Sequence, residues 1–386
     1  MLFTPEAHER LTEDRWEPDR VHAAIREIVE DAEGAFAGGW PTHPQDVDHD
    51  DEAERRFRTV YMGGAGVVQA LDSLQRRGIL ELRGDYLPYL EQRCEPDFPD
   101  ADHERSLWMG ETGIRLTLQR LSPSRENADR LAELIGANIQ DERRELMWGS
   151  PGTMLAAAAM YDLTGETRWL DLWHESAAWL RSEWDPQTGL WTQQLYGMVE
   201  QFIGPAHGFA GCALALARDG DDEFHRRAAK ATRRYAVEED ELANWPPLAS
   251  MESVEGNRDG HIRLQWCHGA PGVVASLARV APNDDEHERL LLAGGELTRR
   301  AGPLAKGANL CHGTAGNGYA FLALFERTGD ELWLERARAF AMHALTQVAR
   351  ARAEHGRGRY TLWTGDAGTA LYLADCLAGG GALPLP

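Results

Sequence analysis

The sequence predicts an all-α chain folded as a seven-fold α/α toroid, a double-layered helical barrel of seven helical hairpins. Three observations predict it. The tetrad Gly-x-x-Gly occurs seven times, each copy opening an apolar stretch. The segments between the copies place apolar residues at three-to-four-residue spacing with charge elsewhere, and strand-like alternation is scarce. A single tetrad would be noise; seven in one chain are an organisation.

The tetrads begin at Gly63 (GGAGVVQAL), Gly110 (GETGIRLTL), Gly149 (GSPGTMLAAAAMY), Gly208 (GFAGCALALA), Gly269 (GAPGVVASLA), Gly313 (GTAGNGYAFLAL) and Gly365 (GDAGTALYLADCL), at intervals of 47, 39, 59, 61, 44 and 52 residues. Each is read as the start of an inner helix that is apolar nearly all round and therefore sheltered on every side. Segments such as 166–185 (ETRWLDLWHESAAWLRSEWD) and 330–356 (DELWLERARAFAMHALTQVARARAEHG) are amphipathic and read as the half-exposed outer layer. Seven hairpins form an open solenoid or a closed ring, and the uncharged inner helices favour the ring. The glycine turns then lie at one end, where glycine permits positive φ and close backbone approach, and residues just before them converge on a central mouth. Because repeats let one core grow, 1–386 reads as a single domain, with 1–55 a less distinctive N-terminal helical segment.

The chain has 386 residues, 43% of them hydrophobic, with 62 acidic and 40 basic side chains and a formal charge of −22, which excludes disorder. Such an acidic excess disfavours nucleic acid and anionic membrane faces as partners. Of the 40 cations, only Lys230 and Lys306 are lysine. The N-terminal residues lack a signal peptide's basic flank and apolar core, and no window is long and apolar enough to span a membrane, so a cytoplasmic protein is expected. Five irregularly spaced cysteines do not suit a disulfide framework.

Three turns carry chemistry in or immediately before the tetrad: Trp266-Cys267-His268-Gly269, Leu310-Cys311-His312-Gly313 and Ala206-His207-Gly208. Two successive repeats thus present Cys-His-Gly at the same place, and in a ring those side chains meet at the mouth. Thiolate and imidazole together suit Zn²⁺, and three protein ligands with an open fourth position suit a catalytic ion. The competing reading, buried cysteines as small hydrophobes, applies to Cys94, Cys212 and Cys376, which lie outside the pattern.

The seven glycine turns, WCHG at 266–269, LCHG at 310–313, AHGFAG at 206–211 and YTLWTGDAGTALYLADCL resemble the lanthionine synthetase C-like family over nearly the whole chain from about Tyr61 onward. The resemblance implies a zinc ion held by Cys267, Cys311 and His312, with water or a thiol substrate at the fourth position. It implies His207 as the catalytic histidine, Glu145 as an acidic residue near it, and Arg263 as an anion-stabilising partner. ELMWGSPG at 145–152 and WCHG are closer to the stand-alone eukaryotic-type members than to dedicated lantibiotic cyclases, and in that branch the position of Lys306 contributes to glutathione binding. His268 departs from the dedicated cyclases, which carry tyrosine there; it lines the mouth, replaces His312 on zinc, or has no role.

The chemistry such a site supports is thiol addition to dehydroalanine or dehydrobutyrine in a dehydrated peptide or protein, forming a thioether or a glutathione adduct. Zinc removes the thiol proton, Arg263 faces the enolate oxygen, and His207 moves the proton with Glu145 orienting it or capping a helix. Trp148, Trp266 and Trp363 frame the mouth or pack between inner helices; His43, His49 and His103 read as surface residues. Two other functions fit the fold. One is a non-catalytic zinc and glutathione-binding scaffold or signalling protein. The other is a carbohydrate-active α/α barrel using Glu145 and Asp366 as acid and base.

Overall fold

The structure is a computed structural model that describes residues 2–46, 55–92, 104–250 and 262–385. His49, His103 and Cys94 lie outside the described residues. All seven tetrads open a helix with their first glycine at the N-cap: α2 (Gly64–Arg76), α4 (Glu111–Leu121), α6 (Ser150–Thr164), α8 (Phe209–Leu216), α10 (Ala270–Leu277), α12 (Thr314–Thr328) and α14 (Asp366–Ala378). Each packs against the next, and α14 packs back against α2, so the inner layer is a closed ring. Outside it lie α1 (Pro18–Ala35), the short α3 (Leu87–Glu91), α5 (Arg125–Ala137), α7 (Thr167–Ser182), α9 (Asp222–Arg234), α11 (Asp285–Ala301) and α13 (Glu331–His355). Two small antiparallel hairpins interrupt the helices, β1 (Gln193–Leu195) with β2 (Met198–Glu200) and β3 (Val237–Glu239) with β4 (Leu242–Asn244).

The glycines serve a different purpose from the one expected of them at most turns. Only Gly269 among the fourteen tetrad glycines has a positive φ, 108°. The second glycine of each tetrad sits instead against the carbonyl oxygen of the residue six positions earlier. A Cβ there would meet that oxygen at 1.7 Å (Gly316 on Leu310) to 2.2 Å (Gly152 on Leu146). Close approach, which lets the first helical turn nest on its own loop, is therefore what the repeat requires.

The N-terminal segment, undistinctive in sequence, completes the outer layer. Helix α1 packs against α14, the last inner helix, and so covers the seam where the ring closes. Ahead of it, residues 2–16 form a strap: the Glu9 N–H donates to Pro303 O (2.7 Å), the Ala305 N–H donates to Ala7 O (2.9 Å), and Asn244 Nδ2 donates to Leu2 O (2.7 Å). The Glu9 carboxylate holds His343, Gln347 and Arg350 of α13.

The ring centre is filled by aromatic rings. Trp108, Trp266 and Trp363 are buried, with centroids 4.5 Å (Trp108–Trp363), 4.7 Å (Trp266–Trp363) and 5.8 Å (Trp108–Trp266) apart, and Tyr61 stacks on Trp108 and Trp363. Packing is thus the role of Trp266 and Trp363; they floor the mouth rather than frame it. His43 is a second correction. It is 2% exposed, its ring meets His355 edge-on at 4.7 Å, and burial pushes its pKa down to about 4. Cys212 and Cys376 are buried in the inner helices, in keeping with packing. At the far end of the ring, the C-terminal halves of α6, α8, α10 and α12 surround a cavity of about 490 Å³, with Leu383 and Leu385 of the C-terminal tail against it. No described helix is long and apolar enough to cross a membrane.

Candidate active site

The residue two positions before each tetrad is the unit from which the mouth is built. Numbered along the chain these are Tyr61, Trp108, Met147, Ala206, Cys267, Cys311 and Trp363. Backbone hydrogen bonds join neighbouring repeats through them: the Cys267 N–H donates to Cys311 O (3.1 Å), Cys311 to Trp363 O (2.9 Å), Trp363 to Tyr61 O (3.3 Å) and Tyr61 to Trp108 O (2.9 Å). The seam between repeats five and six therefore sets Cys267 and Cys311 side by side. Seven helix N-termini point their positive ends towards this mouth, an environment that favours anionic sulfur.

The two thiols are hydrogen-bond partners. The hydrogen bond from Cys311 holds the Cys267 thiol below its ordinary range, helped by Gln265 and the charges of His207 and Arg263 against the opposing effect of burial. The Cys311 thiol is pushed well up by its hydrogen bond to Cys267 and by burial. Each sulfur has its own second donor: Tyr61 Oη donates to Cys311 Sγ (2.9 Å) and Gln265 Nε2 to Cys267 Sγ (3.0 Å). Neither donor was singled out in the sequence. Tyr61 shares the register of the two cysteines, which is the signal that identifies it; Gln265 is placed by the tight turn in which it pairs with His268, and no motif announces that.

His207 stands near this pair, just ahead of Gly208, the N-cap of α8. Glu145 Oε2 accepts from His207 Nδ1 at 2.8 Å, and His207 is 13% exposed on its side chain while Glu145 is fully buried. The same carboxylate accepts the backbone N–H groups of Met147 (3.0 Å), Trp148 (2.5 Å) and Gly149 (3.1 Å). The Glu145 carboxylate thus fixes the turn that leads into α6 and bonds the imidazole at the same time. His268 lies between the centres. Its ring is 6.1 Å from that of His207, its Nδ1 is buried without a partner, and burial followed by the charges of His207, Arg263 and Lys306 pushes its pKa down to about 3.

Arg263 and Lys306 are both exposed at this rim, close enough that their charges bear on His268; that of Lys306 also bears on His312. Burial, then Arg359 and Lys306, pushes His312 down to about 4. Arg359 is anchored by Asp46, with Nε donating to Oδ2 at 2.8 Å. Among the described residues, no three His, Cys, Asp or Glu side chains gather into one ligand group. The structure thus pairs Cys267 with Cys311 and, nearby, His207 with Glu145, and it gathers neither His207 nor His312 with the two sulfurs into one ligand group. It separates Glu145 from Asp366, whose carboxylate accepts the Arg359 N–H (3.1 Å) and is pushed up to about 6 by burial.

Trp148 faces the mouth, as Trp266 and Trp363 do not. Its Nε1 donates to Tyr196 Oη (3.4 Å), and the Tyr196 ring meets His207 edge-on at 5.6 Å. Tyr196 lies at the tip of the β1–β2 hairpin, a loop with no tetrad and no motif, which is why sequence reading passed it by.

A family model described as lanthionine synthetase C-like protein matches residues 58–383. The LanC-like protein GCL1 of Arabidopsis thaliana is 32% identical over 187 residues, covering 46% of this chain and 41% of its own. The Glutathione S-transferase LANCL1 of Danio rerio is 33% identical over 183 residues, 46% of this chain and 44% of its own. The chain therefore matches less than half the length of these curated relatives. Among solved structures, nisin cyclase superposes with a TM-score of 0.59 at 15% identity, covering 94% of this chain and 100% of that chain, a likeness of fold.

Proposed function

The chain belongs to the lanthionine synthetase C-like family, and from that premise we propose that it catalyses zinc-dependent addition of a thiol, from glutathione or a peptide cysteine, to dehydroalanine or dehydrobutyrine residues. The observation that carries this reading is the meeting, at one mouth, of the Cys267–Cys311 thiol pair with a histidine whose Nδ1 is held by a buried carboxylate. In this reading the whole of 1–386 acts as one unit in the cytoplasm, where thiols stay reduced.

Zinc suits two of its three implied ligands as they stand: adjacent sulfurs, each already receiving a hydrogen bond from Tyr61 or Gln265. His312, one residue beyond Cys311, would be the third. Bound there, zinc would supply a deprotonated, electron-rich sulfur at neutral pH.

The remaining steps belong to the chain's own residues. With Nδ1–H donated to Glu145, the neutral His207 imidazole keeps its lone pair on Nε2. Nε2 takes the proton that the incoming thiol loses; the thiolate sulfur then bonds to the alkene β-carbon, the π pair moves onto the carbonyl as an enolate, and the Nε2 proton passes to the α-carbon. The Arg263 guanidinium at the rim stabilises the enolate oxygen, and the Lys306 ammonium receives a carboxylate of glutathione. The carbohydrate reading lacks comparable support, because the Glu145 carboxylate is taken up by three N–H groups and His207, and Asp366 lies in separate surroundings.

The test is zinc content together with thioether formation from a dehydroalanine peptide and glutathione. Stoichiometric zinc, lost in Cys311→Ala, with adduct dependent on His207, is the expected result. Zinc-replete protein that forms no adduct overturns the addition and leaves the binding scaffold.

A further inference from the structure

The turn that presents Cys267 is closed differently from its counterparts around the ring. In five other repeats the first residue of the inner helix donates its N–H to the carbonyl seven residues earlier: Gly64 to Phe57, Glu111 to Glu104, Phe209 to Phe202, Thr314 to Gly307 and Asp366 to Arg359, at 2.5–2.9 Å. That bond ties the base of each loop with backbone alone. In the repeat of Cys267 the corresponding residues are Ala270 and Arg263, and a side chain stands between them. The Ala270 N–H donates to Asn244 Oδ1 (2.7 Å), and Asn244 Nδ2 donates to Arg263 O (3.3 Å). A carboxamide offers the same donor and acceptor as a peptide group, so it takes the place of the direct bond and holds the two ends of the loop further apart.

Asn244 comes from another element. It ends β4, which packs against α11, and it is fully buried. Its oxygen also accepts the Trp245 N–H (2.9 Å), and its nitrogen also donates to Leu2 O of the N-terminal strap (2.7 Å). Two N–H groups on the oxygen and two carbonyls on the nitrogen leave the amide one orientation, with every hydrogen-bonding site in use. Beyond it the loop narrows: Gln265 and His268 exchange both backbone bonds (3.0 and 3.1 Å), which leaves Trp266 and Cys267 at the tip. Gly269 follows this path with its φ of 108°, and a Cβ on it would meet Arg263 O at 2.1 Å and Asn244 Oδ1 at 3.0 Å. The one positive φ among the tetrad glycines thus occurs where the carboxamide enters the turn. The Cys311 turn is closed from within: Thr314 bonds Gly307 directly, and Asn309 Oδ1 accepts the His312 N–H (3.0 Å).

We infer that Asn244 is a positioning residue of the candidate thiol site: wedged at the base of the 263–270 loop, its carboxamide sets where Cys267 stands against Cys311 and fixes the backbone of Arg263 at the rim. Its consequence for catalysis rests on the zinc and thiol reading above; its geometry rests on the hydrogen bonds alone. The seam bond from the Cys267 N–H to Cys311 O holds the tip of the loop at one point, and Asn244 holds the entry and the exit. Without the carboxamide, the Ala270 N–H and Arg263 O are free to bond directly, as the five other repeats do. The loop base then closes by the width of an amide, and Cys267 shifts against Cys311, whose own turn is unaffected.

The experiment sets Asn244→Ala against Asn127→Ala, a matched control. Asn127, on the outer helix α5, is also buried and bonded through its carboxamide, to Arg115 and Gln119. Both variants should lose a few degrees of Tm, so stability alone does not separate them. Protein stripped of metal is treated with diamide, which takes up the two thiol hydrogens as the sulfurs join, and the Cys267–Cys311 disulfide is followed by peptide mass spectrometry. Wild type and Asn127→Ala should form it at one rate and Asn244→Ala about ten-fold more slowly. Zinc affinity, measured by competition with a chelator, should fall about 10–100-fold in Asn244→Ala and stay unchanged in Asn127→Ala. Asn244→Asp keeps the shape and the acceptor for Ala270 and loses the donor to Arg263 O; it should show the same losses to a smaller degree, and it carries the comparison if Asn244→Ala does not fold. An unchanged disulfide rate in the Asn244 variants, unchanged affinity in a zinc-binding protein, or an equal loss in Asn127→Ala overturns the positioning role. A wild type that takes up no zinc, with its disulfide rate still dependent on Asn244, overturns the metal reading and leaves the positioning standing.

Discussion

The two ends of the ring contrast sharply in what they hold. At the mouth lie the N-termini of the seven inner helices, the backbone seams between repeats, the Cys267–Cys311 thiol pair and the His207–Glu145 pair. At the far end lie the C-terminal halves of four of those helices around a cavity of about 490 Å³, lined by side chains such as Leu155, Leu214, Ala215 and Ala275, with Arg218–Asp162 and Arg279–Glu326 pairs at its rim. This cavity therefore lies at the end opposite the thiols. What sets the mouth apart is helix polarity, since N-termini carry the positive ends that favour thiolate and the backbone geometry that fixes side chains just ahead of them.

That contrast can be broken or sharpened by measurement. The largest expected effect is on catalysis: His207→Asn should lower kcat/KM for thiol addition by about 10²–10⁴-fold, whereas Ala215→Leu at the far cavity should leave it unchanged. Equal losses in both would mean the ends do not divide the work. The next is on stability, at the two ends of the single helix α12. Gly316→Ala drives a Cβ to 1.7 Å from Leu310 O and should cost about 3 kcal/mol or more in urea unfolding; Gly329→Ala at the other end, in open space with φ 69°, should cost about 1 kcal/mol.

A third effect is on pH dependence. His43, on the mouth side beside Arg359, and His287, against Leu277 O at the far side, are both pushed down to about 4, mainly by burial. The unfolded chain then binds protons between pH 6.5 and about 4 that the folded chain refuses. Their contribution is complete above pH 6.5 and is lost as pH falls through that window. His43→Gln and His287→Gln should each flatten the fall of Tm from pH 6.5 to 4, and a slope unchanged in both would refute the assignment. The smallest effect is Ser276→Ala. Its hydroxyl is buried without a partner beside the far cavity, so removing it should raise stability by about 1 kcal/mol and leave thiol addition untouched.

Much of the mouth was legible because the repeat fixes register. Gly269 and Gly313 announce two helix starts, and the cysteines two residues before them are then neighbours if the ring closes. Tyr61 occupies the same register but reads as packing, since a tyrosine among tryptophans declares no chemistry until its hydroxyl is seen on Cys311 Sγ. His43 was misread because its acidic, proline-containing neighbourhood resembles surface, while its burial comes from His355, more than 300 residues later. The fit between α1 and α14 was equally hidden: an amphipathic helix states that it packs, and nothing in it states against what.

The sequence by itself determined the all-α ring, the seven helix starts and the residues that precede them, because a glycine turn followed by an apolar helix is a local instruction repeated in register. Only the tertiary structure decided that close approach rather than positive φ is what most of those glycines provide, that Trp266 and Trp363 floor the mouth, that Glu145 fixes the turn before α6 and holds His207 with the same carboxylate, and that Tyr196 meets His207 from a hairpin. Local pattern fixes where a helix begins. Which hydrogen-bonding groups then meet across the ring depends on how the helices pack around it, and that depends on the whole chain at once.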